Sequence, residues 1–424
     1  MNAKELKKLL KDGALTQYSA LYASVEDTTE RFILAIDAFT ERFGEDRDIS
    51  LFSVPGRSEI CGNHTDHNGG SVLAGAISRD IIAVASKNDD GVVRFKSEGF
   101  SEDTVDLAFS DTPGNFENYS SASLIAGVAD GFVKRGYSIG GYDAYSNTEV
   151  LKGSGISSSA AYEVMLGNIQ NHFYNDGSID NKEIAVIAQY AENVFFGKPS
   201  GLMDQMACAV GGFVYIDFKD KENPVVEPVN ALPSDYGYAL CLVNTGGNHA
   251  DLNDDYASVP AEMRALAALL GKEILSGCTE SEIVSAIPAA RETVGDRAVM
   301  RALHFVRECA RVEKAKSALK SGDFDTFLDT LTESGRSSFE YLQNVYTNLN
   351  VKEQGLSLAL ALADGYLSGK RASYRVHGGG FAGTIQVFLP VSELDGFCEY
   401  MDKVFGKGAS LPLFIRPVGA CKLL

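Results

Sequence analysis

Residues 153–164 read GSGISSSAAYEV, a run of small residues that passes into a helical pattern without a break. One serine is enough to cap a helix. Three in succession, Ser157, Ser158 and Ser159, preceded by Gly153, Ser154, Gly155 and Ile156 and followed by Ala160, offer more hydroxyls and backbone N–H groups than a cap needs. The segment before them, Tyr142–Val150, is strand-like, and from Ser157 the apolar positions Ala160, Ala161, Val164, Met165, Ile169 and Phe173 keep helical spacing. Strand, glycine-rich turn and serine-rich first helical turn is the layout of an anion-binding helix N-terminus. The dipole and the free N–H groups of that turn favour a phosphate, and a serine hydroxyl can ligate Mg²⁺. A flexible loop closed by a serine cap is the plainer reading of the same residues. A Walker P-loop is excluded, because every Gly-Lys pair is followed by Pro, Glu, Arg or Gly.

The chain of 424 residues is long enough for two domains, and its 45% hydrophobic content supports a sizeable core. Its net charge of −19 argues against nucleic acid or an anionic membrane as partner, since both require a basic face. Seven widely spaced cysteines, with no Cys-x-x-Cys, read as reduced thiols and not as a disulfide frame or zinc site. MNAKELKKLLKDG lacks the apolar stretch of a signal peptide, and no run approaches a membrane span. The expectation is a soluble, cytoplasmic protein.

A second stretch, Val54–Gly70, places Arg57, Asn63, His64, Asp66, His67 and Asn68 within 12 positions. Such a density of donors and acceptors suits a polyhydroxyl ligand. His64-x-Asp66-His67 could instead ligate a transition metal, although no second ligand cluster accompanies it. A third stretch, Gly197–Met206, carries Gly201 and Asp204 in a Gly/Pro-rich loop, with Glu192 near the end of the preceding helix. Each acidic residue there also reads as a cap or solvated surface. A fourth, His377–Gly383, puts four glycines in six positions between two strands, more than a bend requires.

Along the chain, Ile81–Ala85 and Val92–Phe95 read as a hairpin around Asn88-Asp89-Asp90-Gly91. Residues 117–135 read as a helix stopped by Gly136. Another begins at Asp180, with Glu183 completing a capping box, and runs to Gly197. Phe213–Ile216 and Tyr238–Val243 read as strands joined by a polar connection. Helices over 257–270, 298–320, 323–347 and 352–368 precede a strand–loop–strand unit, a helix and a final strand. The class is α+β with mixed sheets, divided into domains 1–215 and 216–424.

Taken together and in this order, the segments resemble the three motifs of the GHMP small-molecule kinases, and within them the galactokinases. The galactokinase signature G-R-x-N-x-I-G-E-H-T-D-Y-N-G-G aligns with Gly56–Gly70. G-L-S-S-S-A-[AS] aligns with Gly155–Ala161, G-x-M-D-Q with Gly201–Gln205, and G-[AS]-G-F-G-G with Gly378–Gly383, where Gly379 and Ala382 depart mildly. The resemblance implies a two-domain fold with the active site in the cleft between domains, and transfer of phosphoryl from MgATP to the C1 hydroxyl of galactose. It implies that Gly153–Ala160 cradle the triphosphate and that Ser159 and Glu192 hold Mg²⁺. Asp204 would orient or deprotonate the attacking hydroxyl, and Arg57 would neutralise charge beside it. Asn63, His64, Asp66, His67, Gly201 and Tyr256 would surround the sugar. Its partners would be a small-molecule sugar and ATP, with the chain a monomer or weak homo-oligomer.

Two departures bear on the substrate. Asn63 stands where the signature has glutamate, and His67 where it has tyrosine. In galactokinases that glutamate faces the C6 end of the sugar, and galacturonokinases lack it and carry Asp-His there, as Asp66-His67 do. An amide removes a like-charge repulsion against a C6 carboxylate. Galactose is therefore the expected substrate, and galacturonate or another C6-altered sugar the alternative. A catalytically inactive sugar and ATP sensor is the alternative of another class, disfavoured because Arg57, Ser157–Ala161 and Asp204 are all present.

Overall fold

The computed structural model describes every residue except 151–154, 221–222 and 248–251. Two helices, α1 (Ala3–Lys11) and α2 (Val25–Phe43), precede strands β1 (Ser50–Cys61), β2 (Ser71–Lys87), β3 (Val92–Ser97) and β4 (Glu102–Asp106). Then come α3 (Ser121–Lys134), β5 (Tyr142–Thr148), α4 (Ser158–Tyr174), α5 (Asn181–Tyr190) and α6 (Met203–Val210). Strands β6 (Phe213–Asp217), β7 (Val225–Val229) and β8 (Tyr238–Asn244) lead to helices α7 (Asn253–Leu269), α8 (Glu280–Thr293), α9 (Asp296–Ser321), α10 (Phe324–Ser337) and α11 (Gly355–Leu367). The chain closes with β9 (Ser373–Val376), β10 (Thr384–Pro390), α12 (Val391–Phe405), β11 (Ser410–Leu413) and β12 (Cys421–Lys422).

Among the described residues, eight strands form a mixed sheet along β12-β1-β2-β5-β3-β4, with β6 on β2 and β7 on β6. A second, antiparallel sheet runs β11-β8-β10-β9. The long β2 is the spine of the first: Ser71–Gly75 pairs with β6 and Ile81–Lys87 with β5. Its side chains alternate between two cores, as a pleated strand requires. Ile81, Ala83 and Ala85 join the core built with α3–α6, whereas Ile82 and Val84 pack with α1 and α2.

The hairpin expected from Asn88–Gly91 does not form. Strand β5 lies between β2 and β3, antiparallel to the first and parallel to the second. Asn88 belongs to that wider junction: its backbone N–H donates to Gly141 O (3.1 Å) and its amide to Val92 O and Asp143 Oδ1. A local turn signal has lost to a helix-mediated crossover. The capping box at Asp180 is likewise absent: Asp180 accepts from the Lys182 N–H, and Glu183 pairs with Arg135. Strand β7 and helix α8 lie in segments where no element was expected. The 323–347 helix becomes a π turn at Ser338–Leu342 and ends at Gln343 in the left-handed region (φ 58°).

The division expected at 215/216 falls inside β6, whose pairing with β2 runs through Asp217. Strand β7 continues the same sheet. The C-terminal segment also returns to it, through β12 on β1 and the Arg416 backbone on Ala76. The large sheet therefore draws on both halves of the sequence.

Candidate active site

Strand β1 positions the first part of the site. Its pairing with β2 slips once between Pro55 and Arg57 and again between Glu59 and Cys61. Such irregularities re-aim side chains and are frequent beside active sites. Gly56, at the first of them, permits close approach of the helix-start loop, since a Cβ there would lie 2.7 Å from Ile156 O. The Arg57 N–H donates to that same carbonyl. The Arg57 guanidinium then makes three contacts: Nη1 donates to Gly155 O (2.6 Å), Nε to Asp204 Oδ1 (2.6 Å) and Nη2 to Asp204 Oδ2 (2.8 Å).

Ser157 occupies the N-cap position of α4 but caps nothing with its side chain, and its backbone is left-handed (φ 61°). Its hydroxyl donates instead to Asp204 Oδ2. Ser158 begins the helix, and Ser159 Oγ donates to Glu192 Oε1 (3.3 Å). The three serines have divided duties, and two of them reach for carboxylates. Gly153 and Ser154 lie outside the described residues.

Burial pushes the Asp204 carboxyl up, but the Arg57 charge and the hydrogen bonds from Arg57 and Ser157 outweigh it, so the group rests below the usual carboxylate range. Glu192, 2% exposed, sits where α5 passes into a π turn (Ala191–Phe196). Lys198 Nζ holds its Oε1 at 2.8 Å, and Gln205 Nε2 donates to its Oε2 at 2.8 Å and to Glu163 Oε2 at 3.0 Å. Lys198, Gln205 and Glu163 were not singled out from the sequence, although the first two lie in the quoted 197–206 stretch. An uncharged amide directly after Asp204 was the available signal for Gln205. The hydroxyl of Ser159 and the carboxylate of Glu192 are hard oxygen donors, the set that suits Mg²⁺.

The Gly62–Gly70 loop is pinned by buried Thr65, whose hydroxyl is within hydrogen-bond distance of Gly62 O (2.8 Å) and Ser71 O (2.7 Å). His64, at φ 59°, donates from Nε2 to Gly379 O (2.9 Å), and its ring lies 5.9 Å from that of His67. Asp66 approaches the 197–206 loop: a Cβ on Gly201 would lie 3.0 Å from Asp66 Oδ2. Tyr256 donates to Gly380 O (2.8 Å) and stands edge-on to Phe381, against Gly379. Asp66 thus reaches the loop that carries Asp204, while His64 and Tyr256 meet the glycine loop at Gly379 and Gly380. The His67 side chain is 45% exposed, 3.5 Å from Asp66. Among the described residues no three His, Cys, Asp or Glu side chains cluster as a metal site, and His64 is committed to Gly379.

Asn63 requires a correction. It is fully buried and its amide is spent on protein: Nδ2 donates to Glu59 Oε1 (2.9 Å) and Gly378 O (2.7 Å), while Oδ1 accepts from Asn344 (2.7 Å) and Ser338 (3.2 Å). Four bonds exhaust a primary amide. Asn63 therefore ties β1 to the C-terminal elements and presents nothing to a substrate.

Three histidines in this region are held neutral by burial: His64 down to about 4, His377 to about 3, and His304 below its ordinary value. An unfolded histidine takes its proton near 6.5. The unfolded chain thus binds more protons between about pH 6.5 and 4, and folding stability is lost as pH falls through that window. Thermal melts are expected to show a steady fall in Tm from about pH 7 to 4.5. A flat Tm would remove these rings from the buried set.

Residues 37–87 match the galactokinase galactose-binding signature, and 121–212 match the GHMP kinases N-terminal domain. A galactokinase of Streptomyces coelicolor is 30% identical, the alignment covering 87% of this chain and 92% of that protein. One of Enterococcus faecalis is 31% identical over 88% and 94%. The chain belongs to the galactokinase family. Its fold is that of the GHMP kinases: the Lactococcus lactis galactokinase, solved with galactose, superposes with a TM-score of 0.76 over 93% of this chain and 100% of that one, at 23% identity. A mevalonate kinase superposes at 0.61 over 87% and 99%, with 12% identity. As a galactokinase-family member the chain is a sugar kinase, and among its described residues no helix is long and apolar enough to cross a membrane.

Proposed function

We propose that this chain transfers the γ-phosphoryl group of ATP to the C1 hydroxyl of galactose, giving galactose 1-phosphate. The observation that carries the reading is the Asp204 carboxylate, gripped by both arms of Arg57 and by Ser157 at the start of α4. Phosphoryl transfer asks the protein mainly for positioning and charge stabilisation. Gly153–Ala160 would cradle the triphosphate on the amides of the helix start. Ser159 and Glu192 would hold Mg²⁺, which when bound offsets the charge on the phosphate oxygens. Asp204 orients the sugar hydroxyl and accepts its proton, and Arg57 both holds Asp204 ionised and faces the developing charge. His64, Asp66, His67, Gly201 and Tyr256 frame the sugar. The enzyme works in the cytoplasm as a monomer or weak homo-oligomer.

The test is a panel of galactose, galacturonate, arabinose and N-acetylgalactosamine with ATP and Mg²⁺, followed by ³¹P NMR for the sugar 1-phosphate. Galactose is expected to give the highest kcat/KM. Turnover of no sugar sinks the kinase reading, and preference for galacturonate sinks its substrate. A second expectation concerns the metal. Ser159→Ala should raise the Mg²⁺ concentration for half-maximal rate by about 10–100-fold. An unmoved Mg²⁺ titration would take Ser159 out of that role.

A further inference from the structure

With Asn63 bonded to protein, the sugar loop lacks the carboxylate its signature carries there, and the structure supplies another four residues earlier. Glu59 stands where the signature has asparagine, and Asn63 where it has glutamate. The two are exchanged in sequence, and in the fold they are directly bonded, Asn63 Nδ2 donating to Glu59 Oε1 at 2.9 Å. The pair keeps one carboxylate and one amide with their places reversed.

Three observations direct Glu59 toward Arg57 and Asp66. It lies two residues from Arg57 on β1, which puts both side chains on one face of the strand, and the two register slips bracket them. Burial holds its carboxyl above the usual carboxylate range, opposed by Arg375, the Asn63 amide and Arg57, while Asp66 adds to the rise, so all of these groups lie close enough to act on its charge. Its Oε1 is taken by Asn63, with Arg375 Nη2 at 3.7 Å, but its Oε2 receives no hydrogen bond from a described residue and is not sealed from solvent. Glu59 is 8% exposed. A carboxylate this enclosed, oriented by an amide and with one open oxygen, is built to receive a donor.

Resting on the galactose reading, we infer that Glu59 is a specificity-determining residue: its open oxygen accepts a hydrogen bond from a sugar hydroxyl, and its charge disfavours sugars that carry a carboxylate. Asn63 is a positioning residue that aims it. Chemistry of this kind discriminates strongly, because a site built for a hydroxyl leaves a buried acceptor facing an anion when the wrong sugar enters. It also removes the ground for a uronate substrate, since the charge missing at Asn63 is present at Glu59.

The test is Glu59→Gln, which keeps an acceptor for Asn63 while it turns the open oxygen into an NH₂ donor and removes the charge. Galactose KM is expected to rise by about 10–100-fold with kcat changed far less, and the preference for galactose over galacturonate to fall by about the same factor. A wild-type KM and an unchanged preference would overturn the inference. Thermal melting and calorimetric ATP binding report whether the variant is folded. Should it not fold, the exchange variant Glu59→Asn with Asn63→Glu decides instead. A preference for galactose within about threefold of wild type supports the carboxylate's role, and its loss overturns it. The wild-type panel separates the two levels: no galactose turnover by wild type defeats the proposed function, whereas an unchanged preference in the variant defeats Glu59 alone.

Discussion

Asp204→Ala is expected to lower kcat by about 10²–10⁴-fold, the usual worth of a positioned proton acceptor, while ATP binding by calorimetry stays near wild type. The geometry explains both halves. Asp204 is the convergence point of Arg57 and Ser157, so its removal disarms the acceptor hydroxyl's partner. The helix-start amides that would take the phosphates belong to other residues and remain. Asp204→Asn should fall almost as far, because an amide keeps the shape but not the proton affinity. Since the Asp204 carboxyl rests below its ordinary value, it is ionised throughout the neutral range and contributes no acid limb to the kcat profile there. A variant with wild-type kcat would release Asp204 from the reaction.

Arg57→Met should be more damaging still, with kcat lowered by about 10³–10⁵-fold, the range over which a transition-state arginine acts in phosphoryl transfer. Here the same side chain also supports the fold. It joins β1 to α6 through Asp204 and to the helix-start loop through Gly155 O. Losing it strands a carboxylate, although Asp204 keeps 32% of its side chain exposed and water absorbs part of the cost. The expected drop in stability is about 1–3 kcal/mol, read as a lowered Tm. Arg57→Lys separates the two duties. A lysine restores a charge but not the planar two-pronged grip, so Tm should recover further than kcat. Equal recovery of both would mean that positioning through the fork is not what Arg57 supplies.

The glycine and serine segments were legible because their composition is extravagant for ordinary turns, and the structure brings Arg57 and Ser157 onto Asp204 and Asp66 to the loop that carries it. What sequence could not convey was which partners complete each group. Asn63 looked like a ligand-facing residue because its neighbours His64 and Asp66 are. Its actual duty is set by Asn344 and Ser338, 281 and 275 positions away. Gln205 and Lys198, which steady Glu192, are reached through a π turn that no periodicity announces. In the fold, the Asp-Gly signal at 88–91 was sound local chemistry defeated by the insertion of β5, a long-range pairing invisible to a short window.

Ser157 pays twice for its position, once in a backbone conformation that suits glycine and once in a hydroxyl withheld from its own helix. A glycine there would relax the main chain and silence the contact to Asp204 together. Selection for heat resistance alone would therefore pull this codon away from catalysis, and any laboratory library screened only on melting should be expected to lose turnover here first.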